Sequence, residues 1–199
     1  MLNEISIWGQ STSWLEIVAM LTGVAGVWLT ARQNILCFPI GIINVVLYAW
    51  LFFSPGIQLY ADAMLQCIYV FLLIYGWMKW SKKSNVTIVP EKIEFKSFVR
   101  LILFGISATI LSGYFFEKYT DASYPWLDSS LTCMSLAAQW MVAKKFIENW
   151  IVWIIADIIY IPLFVVKHLP LTAHLYGIFL ILAVIGYVDW KKKLILNKS

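Results

Sequence analysis

Seven separate apolar runs, each of a length that matches the hydrocarbon core of a bilayer, restrict what this chain can fold into more than any other feature. A helix crossing that ~30 Å layer needs about 20 apolar residues. Inside lipid each segment must satisfy its own backbone hydrogen bonds, so such runs are helices. The runs are Trp14–Ala31, Ile35–Phe53, Tyr60–Trp80, Phe98–Phe116, Asp128–Ala143, Ile147–Val166 and Pro170–Trp190. Short links join them, except for the polar stretch SKKSNVTIVPEKIEFK after the third. The composition agrees: 61% of residues are hydrophobic and 13% charged, whereas a soluble domain is nearer half apolar and a quarter charged. The pattern predicts an all-α integral membrane protein with seven transmembrane helices.

The formal net charge is +4. With seven spans, 13 of the 15 Lys and Arg fall on one side of the membrane: Arg32, Lys79, Lys82, Lys83, Lys92, Lys96, Arg100, Lys144, Lys145, Lys191, Lys192, Lys193 and Lys198. Only Lys118 and Lys167 fall on the other. Basic residues mark cytoplasmic loops. The N-terminus is therefore expected outside and the C-terminus in the cytoplasm, and the basic excess reports topology rather than a nucleic-acid partner. The N-terminal segment lacks the basic start of a cleaved signal peptide and reads as mature protein. Cys37, Cys67 and Cys133 lie in apolar runs at spacings that give neither a disulfide framework nor a zinc site. No cofactor or metal is expected.

Spans one to three resemble spans five to seven. Glu16, Trp28 and Ala31 match Asp128, Trp140 and Ala143 at an offset of 112, and ARQNI (31–35) matches AKKFI (143–147). Asn44 matches Asp157 at 113, and Gly76-x-x-x-Trp80 matches Gly186-x-x-x-Trp190 at 110. Four spans separate the two units, so they run the same way through the membrane. Transporters with parallel repeats place substrate near the midplane between them. The implied organisation is an N-terminal segment (1–13), a first three-helix repeat (14–80), a polar loop with linker helix (81–127), a second repeat (128–190) and a basic cytoplasmic tail (191–199).

The polar residues inside the spans mark a candidate site. At 100° per residue, Trp150, Trp153, Asp157 and Tyr160 share one helix face. A carboxylate at helix centre costs about 2.5–3.5 kcal/mol on insertion scales, so it faces a cavity or a partner rather than lipid. Cys37, Gly41, Asn44 and Tyr48 share a face of span two, so Asn44 and Asp157 are expected to meet at mid-depth, one from each repeat. Gln66 and Tyr69 stripe span three, with Tyr176 as the counterpart of Gln66 in span seven. Asn44 has a second reading, a hydrogen bond between helices. Asp62 reads as a charge at a helix start, and Trp14, Trp80, Trp126 and Trp190 as anchors at the membrane interface. A buried acid beside aromatic rings suits a flat, aromatic, positively charged ligand, since ring faces attract cations by roughly 0.5–2 kcal/mol each.

NILCFPIGIINVVLYAWLFF, LYADAMLQCIYVFLLIYGWMKW and AQWMVAKKFIENWIVWIIADIIYIPLF resemble the PnuC family of bacterial vitamin transporters. That family's W-x-x-W-x-x-x-N/D motif stands here as Trp150-Ile-Val-Trp153-Ile-Ile-Ala-Asp157, and the match covers all seven spans. The resemblance implies two parallel three-helix bundles joined by a linker helix, as in the full-length SWEET transporters, and a homotrimer in the bacterial inner membrane. It implies facilitated diffusion of nicotinamide riboside, trapped by a cytoplasmic kinase. Thiamine is the alternative, and it too is an aromatic cation. By the same resemblance Trp150, Trp153 and Asp157 line the site, joined by Asn44 and Gln66, then by Tyr48, Tyr69, Gln139 and Tyr160.

Two rivals stay open at this level. One is proton-coupled transport with Asp157 carrying the proton. The other is a receptor without transport. An integral-membrane enzyme fits less well: H-E-x-x-H, G-x-S-x-G and paired intramembrane acids are all missing, which leaves no nucleophile and base together.

Overall fold

The computed structural model describes residues 4–7, 10–53, 60–82, 89–120, 124–166 and 170–197. Seven helices carry the chain: α1 (Trp14–Ala31), α2 (Cys37–Phe53), α3 (Tyr60–Ser81), α4 (Phe95–Tyr119), α5 (Pro125–Lys144), α6 (Glu148–Val166) and α7 (Pro170–Leu196). Five contain their apolar run whole, while α2 and α6 start two residues and one residue inside theirs. The largest differences are at the ends of α4 and α7, which extend into polar sequence because charged residues outside the bilayer continue a helix at little cost. A short antiparallel hairpin, β1 (Glu4–Ile7) with β2 (Gln10–Ser13), precedes α1 and is not anticipated by the apolar pattern. Its Ser13 then caps α1, the Oγ accepting from the Glu16 amide at 3.1 Å.

α1, α4, α6 and α7 are each long and apolar enough to cross a membrane, and α2 is an apolar helix of 17 residues. The chain is a multi-pass membrane protein. Its outer surface fits that medium: Phe71, Phe104, Leu111 and Trp50 are among many large apolar side chains left exposed.

Six helices close into a ring. α1 packs on α2, α2 on α3, α3 on α5, α5 on α6, α6 on α7, and α7 back on α1. α4 lies outside the ring against α5, where the Trp126 ring covers Gly113 closely enough that a Cβ there would come within 2.6 Å of it. The segment ahead of α4 straps the α5–α6 turn: the Glu91 amide donates to the Lys145 carbonyl (2.9 Å), the Ile147 amide to the Glu91 carbonyl (2.9 Å), and the Ile93 amide to the Glu148 carboxylate (3.1 Å).

The turns after α1 and α5 are built alike. Gln33 (φ 58°) and Lys145 (φ 64°) are the non-glycine residues with left-handed backbone among those described, and they stand 112 apart. The flanking bonds repeat at the same offset: Asn34 to Leu29 and Phe146 to Met141, then Phe38 to Ile35 and Trp150 to Ile147. Side chains follow. Phe38 meets Trp80 edge-on at 5.0 Å, and Trp150 meets Trp190 edge-on at 5.5 Å. Tyr48 lies 5.8 Å from Phe52, and Tyr160 lies 5.7 Å from Phe164.

This register corrects one expected pairing. At 112, Asn44 falls on Ala156 and Tyr48 on Tyr160. The two turns and the two aromatic pairs keep one spacing from end to end, so α2 and α6 leave no room for the extra residue that an Asn44–Asp157 pairing needs. A second correction concerns Trp80 and Trp190. They are not interface anchors but two of the most deeply buried side chains. Glycines one turn earlier let large rings come close against α3 and α7: Phe38 against Gly76, Trp150 against Gly186. The four rings join where Trp80 and Trp190 approach to 6.2 Å. Trp14 and Trp126, in contrast, are exposed as an anchor must be.

A Cβ on Gly186 would lie 2.5–2.6 Å from the Trp150 ring, whereas one on Gly177, on the same helix, meets nothing within 4 Å. Gly186→Ala is therefore expected to cost about 1–3 kcal/mol by overpacking. Gly177→Ala should gain up to about 1 kcal/mol from helix propensity. Thermal unfolding of the two variants in one detergent checks the opposite signs.

Candidate functional site

Asp157 stands at the tenth position of α6 and is 3% exposed. Among the described residues no lysine, arginine or hydrogen-bond donor pairs with its carboxylate. Uncompensated, an ion so placed loses several kcal/mol of hydration.

Tyrosines from several helices converge beside it. The hydroxyls of Tyr48 (α2), Tyr69 (α3) and Tyr160 (α6), and the Asp157 carboxylate, all lie within electrostatic reach of the Tyr176 hydroxyl on α7. Tyr69 also lies near Ser135 of α5. Tyr176 stacks on Tyr160 (centroids 4.4 Å apart) and on Phe164 (5.1 Å, planes 23° apart), and meets Phe179 edge-on at 5.8 Å. Such pairs contribute about 0.5–1.5 kcal/mol each beyond area burial, so these rings form a preset wall. Tyr48, Tyr69, Tyr160 and Tyr176 are all half-buried. The combination, one acid among half-accessible ring faces and hydroxyls, can hold a cationic ring and donate hydrogen bonds to its substituents.

The remaining candidates divide. Asn44 spends its amide nitrogen on α1, donating to the Ala19 carbonyl (2.5 Å) and the Thr22 hydroxyl (3.3 Å), in the interhelical role that was its second reading. It still touches the tyrosine cluster indirectly, because Gly23 lies against both Asn44 and Phe179. Trp153 is half-buried at the edge of the ring cluster around Trp80. Trp150 is sealed inside that cluster, seven residues before Asp157, about 10 Å along the helix axis. Gln66 and Gln139 are half-buried, and among the described residues no hydrogen bond engages either amide. The Asp62 side chain lies outside the described residues. Tyr176 is the residue that sequence reading undervalued. The available signal was its offset of 110 from Gln66, six residues into its own helix as Gln66 is into α3.

Comparison with known proteins identifies the family. Residues 13–192 match the family model described as nicotinamide mononucleotide transporter. The nicotinamide riboside transporter PnuC of Escherichia coli is 26% identical, over 92% of this chain and 87% of its own length. That of Neisseria mucosa is 29% identical, over 90% and 73%. The riboflavin/roseoflavin transporter RibM of Streptomyces davaonensis is 20% identical, over 92% and 87%. The crystal structure of the vitamin B3 transporter PnuC superposes with a TM-score of 0.75 at 24% identity, covering 92% of this chain and 83% of that one. With a buried acid set among tyrosines at the heart of a seven-helix membrane fold, and a family match spanning nearly the whole sequence, this chain is a member of the nicotinamide mononucleotide transporter family, a membrane transporter and not an enzyme.

Proposed function

We propose that this protein carries nicotinamide riboside across the bacterial inner membrane by facilitated diffusion, with a cytoplasmic kinase phosphorylating the ligand so that it cannot return. The carrying observation is the Asp157 carboxylate, buried at mid-helix with no described cation beside it and within electrostatic reach of Tyr176, which stacks on Tyr160. The pyridinium of nicotinamide riboside supplies the missing positive charge and a flat face for stacking. The phenols of Tyr48, Tyr69, Tyr160 and Tyr176 can meet the ribose hydroxyls and the amide. Of the other candidates, Trp153, Gln66 and Gln139 are free to turn toward such a ligand, Asn44 offers its carbonyl oxygen, and Trp150 supports Trp153 from below.

The closed ring of six helices, with like contacts 112 and 110 residues apart, supports two parallel three-helix units, 14–80 and 128–190, in the SWEET-like manner, with α4 as linker. The distribution of Lys and Arg supports an external N-terminus and a cytoplasmic C-terminus. The family resemblance extends the proposal to a homotrimer. Thiamine is the alternative ligand, also an aromatic cation, and the likeness to a riboflavin transporter gives a neutral comparison.

Calorimetric titration of the purified protein with nicotinamide riboside, thiamine, riboflavin and a deoxynucleoside tests the assignment. Nicotinamide riboside should bind tightest and riboflavin at least tenfold more weakly. Preference for thiamine or riboflavin would replace the proposed cargo. Proteoliposomes loaded with the kinase and ATP should accumulate labelled ligand, whereas empty ones should only equilibrate.

A further inference from the structure

The two places where the three-helix units touch, α1 against α7 and α3 against α5, occupy equivalent positions but hold their inner ends differently. At the α1–α7 seam Arg32 pairs with Asp189 at 3.2 Å, and Lys193 donates to the Gln33 side-chain carbonyl at 2.9 Å. Trp190 Nε1 donates to the carbonyls of both Thr30 and Ala31 at 3.2 Å. At the α3–α5 seam the same positions carry different chemistry. Lys144 stands where Arg32 does, but Lys79 replaces Asp189, so the ion pair becomes two cations, each 5.8 Å from the Tyr75 ring centre. Neither has an ion pair among the described residues. Lys145, at the Gln33 position, lies over the Trp80 ring at 5.1 Å. Trp80 Nε1, the counterpart of the doubly bonded Trp190 Nε1, is buried with no hydrogen-bond partner among the described residues.

The Trp80–Trp190 contact joins α3 to α7 across the middle of the ring, so the inner end stays shut while those rings touch. Opening must separate the helices at either seam or at both. The α1–α7 seam would lose an ion pair and three hydrogen bonds. The α3–α5 seam would lose ring contacts and, among the described residues, no ion pair at Lys79 or Lys144.

We propose that the inner gate opens at the α3–α5 seam, with Trp80 leaving Trp190, while the α1–α7 seam stays latched and acts as the hinge. α4, packed on α5 and strapped to the α5–α6 turn through Glu91 and Ile93, then travels with the second unit rather than standing between two moving ones. The proposal rests on the transport reading above.

The test uses the full chain with Cys37, Cys67 and Cys133 replaced by alanine, reconstituted and first shown to move labelled nicotinamide riboside. If that parent moves none, the transport reading fails before any gate is examined. Two pairs are then introduced, Arg32→Cys with Asp189→Cys and Lys79→Cys with Lys144→Cys, and joined by a short reducible bifunctional thiol reagent. Joining 79 to 144 should abolish transport, with recovery on reduction, while joining 32 to 189 should leave at least half of it. Loss at 32–189 with transport spared at 79–144, equal loss at both, or no loss at either overturns the proposal. An independent variant needs no cross-link: Lys79→Asp recreates the ion pair at the α3–α5 seam and should slow transport by about two- to fivefold with ligand affinity unchanged. Unchanged or faster transport by that variant counts against the gate.

Discussion

Replacing Asp157 with alanine is expected to remove most of the affinity for nicotinamide riboside while leaving the fold intact. Taking away one partner of a buried charge pair costs about 2–5 kcal/mol, which is a loss of roughly thirtyfold to several thousandfold. Much of that penalty is the ligand's positive charge left facing an apolar site. Stability should not fall, because in the ligand-free protein the carboxylate has no described cation to strand. Asp157→Asn keeps the shape and removes the charge, so it should lose nearly as much affinity for the cation and little for a neutral flat ligand such as riboflavin. Calorimetric titration of both variants against both ligands checks this. A variant that binds nicotinamide riboside as tightly as the parent would show that Asp157 is not the counter-charge.

Trp190→Ala is expected to act in the opposite way, on stability first. Its ring is wholly buried, meets both Trp80 and Trp150, and donates to two carbonyls of α1. Truncating a core tryptophan costs about 3–5 kcal/mol through the cavity it leaves, and here the seam between α1 and α7 also loses its donor. Trp14→Ala, at a ring 60% exposed, should move stability by less than about 1 kcal/mol. Thermal unfolding in a single detergent compares them directly. Trp153→Ala completes the contrast: half-buried at the edge of the cluster, it should weaken ligand binding with little change in unfolding temperature. A Trp190 variant as stable as the parent would mean that the ring cluster does not hold α1, α3 and α7 together.

The helices were legible in the sequence because lipid leaves an apolar run only one way to satisfy its backbone. α1 and the start of α7 fall where the apolar pattern puts them. Asp157 was legible for a related reason, since a charge in that run is costly enough to demand an explanation. The duplication was visible as well, but its register was not. Asn44 and Asp157 look alike as central polar residues. Only the matching turns at Gln33 and Lys145, and the matching pairs Tyr48–Phe52 and Tyr160–Phe164, set the offset at 112 and separate them.

Tryptophan was the least legible residue type. Trp14, Trp80, Trp126 and Trp190 all sit near ends of apolar runs, where an interface anchor and a buried plug carry the same local pattern. The glycines at 76 and 186 decide between the two, because they admit Phe38 and Trp150 onto α3 and α7, and that role is visible only once the helices are packed. What the sequence alone determined was local and set by solvent: helix, span, duplication, and a lone acid that lipid would not tolerate without purpose. What only the tertiary structure decided was which neighbours meet, because the side chains that come together are on helices distant in sequence: Tyr69 and Tyr176 with Asp157, and Arg32 with Asp189 across the α1–α7 seam.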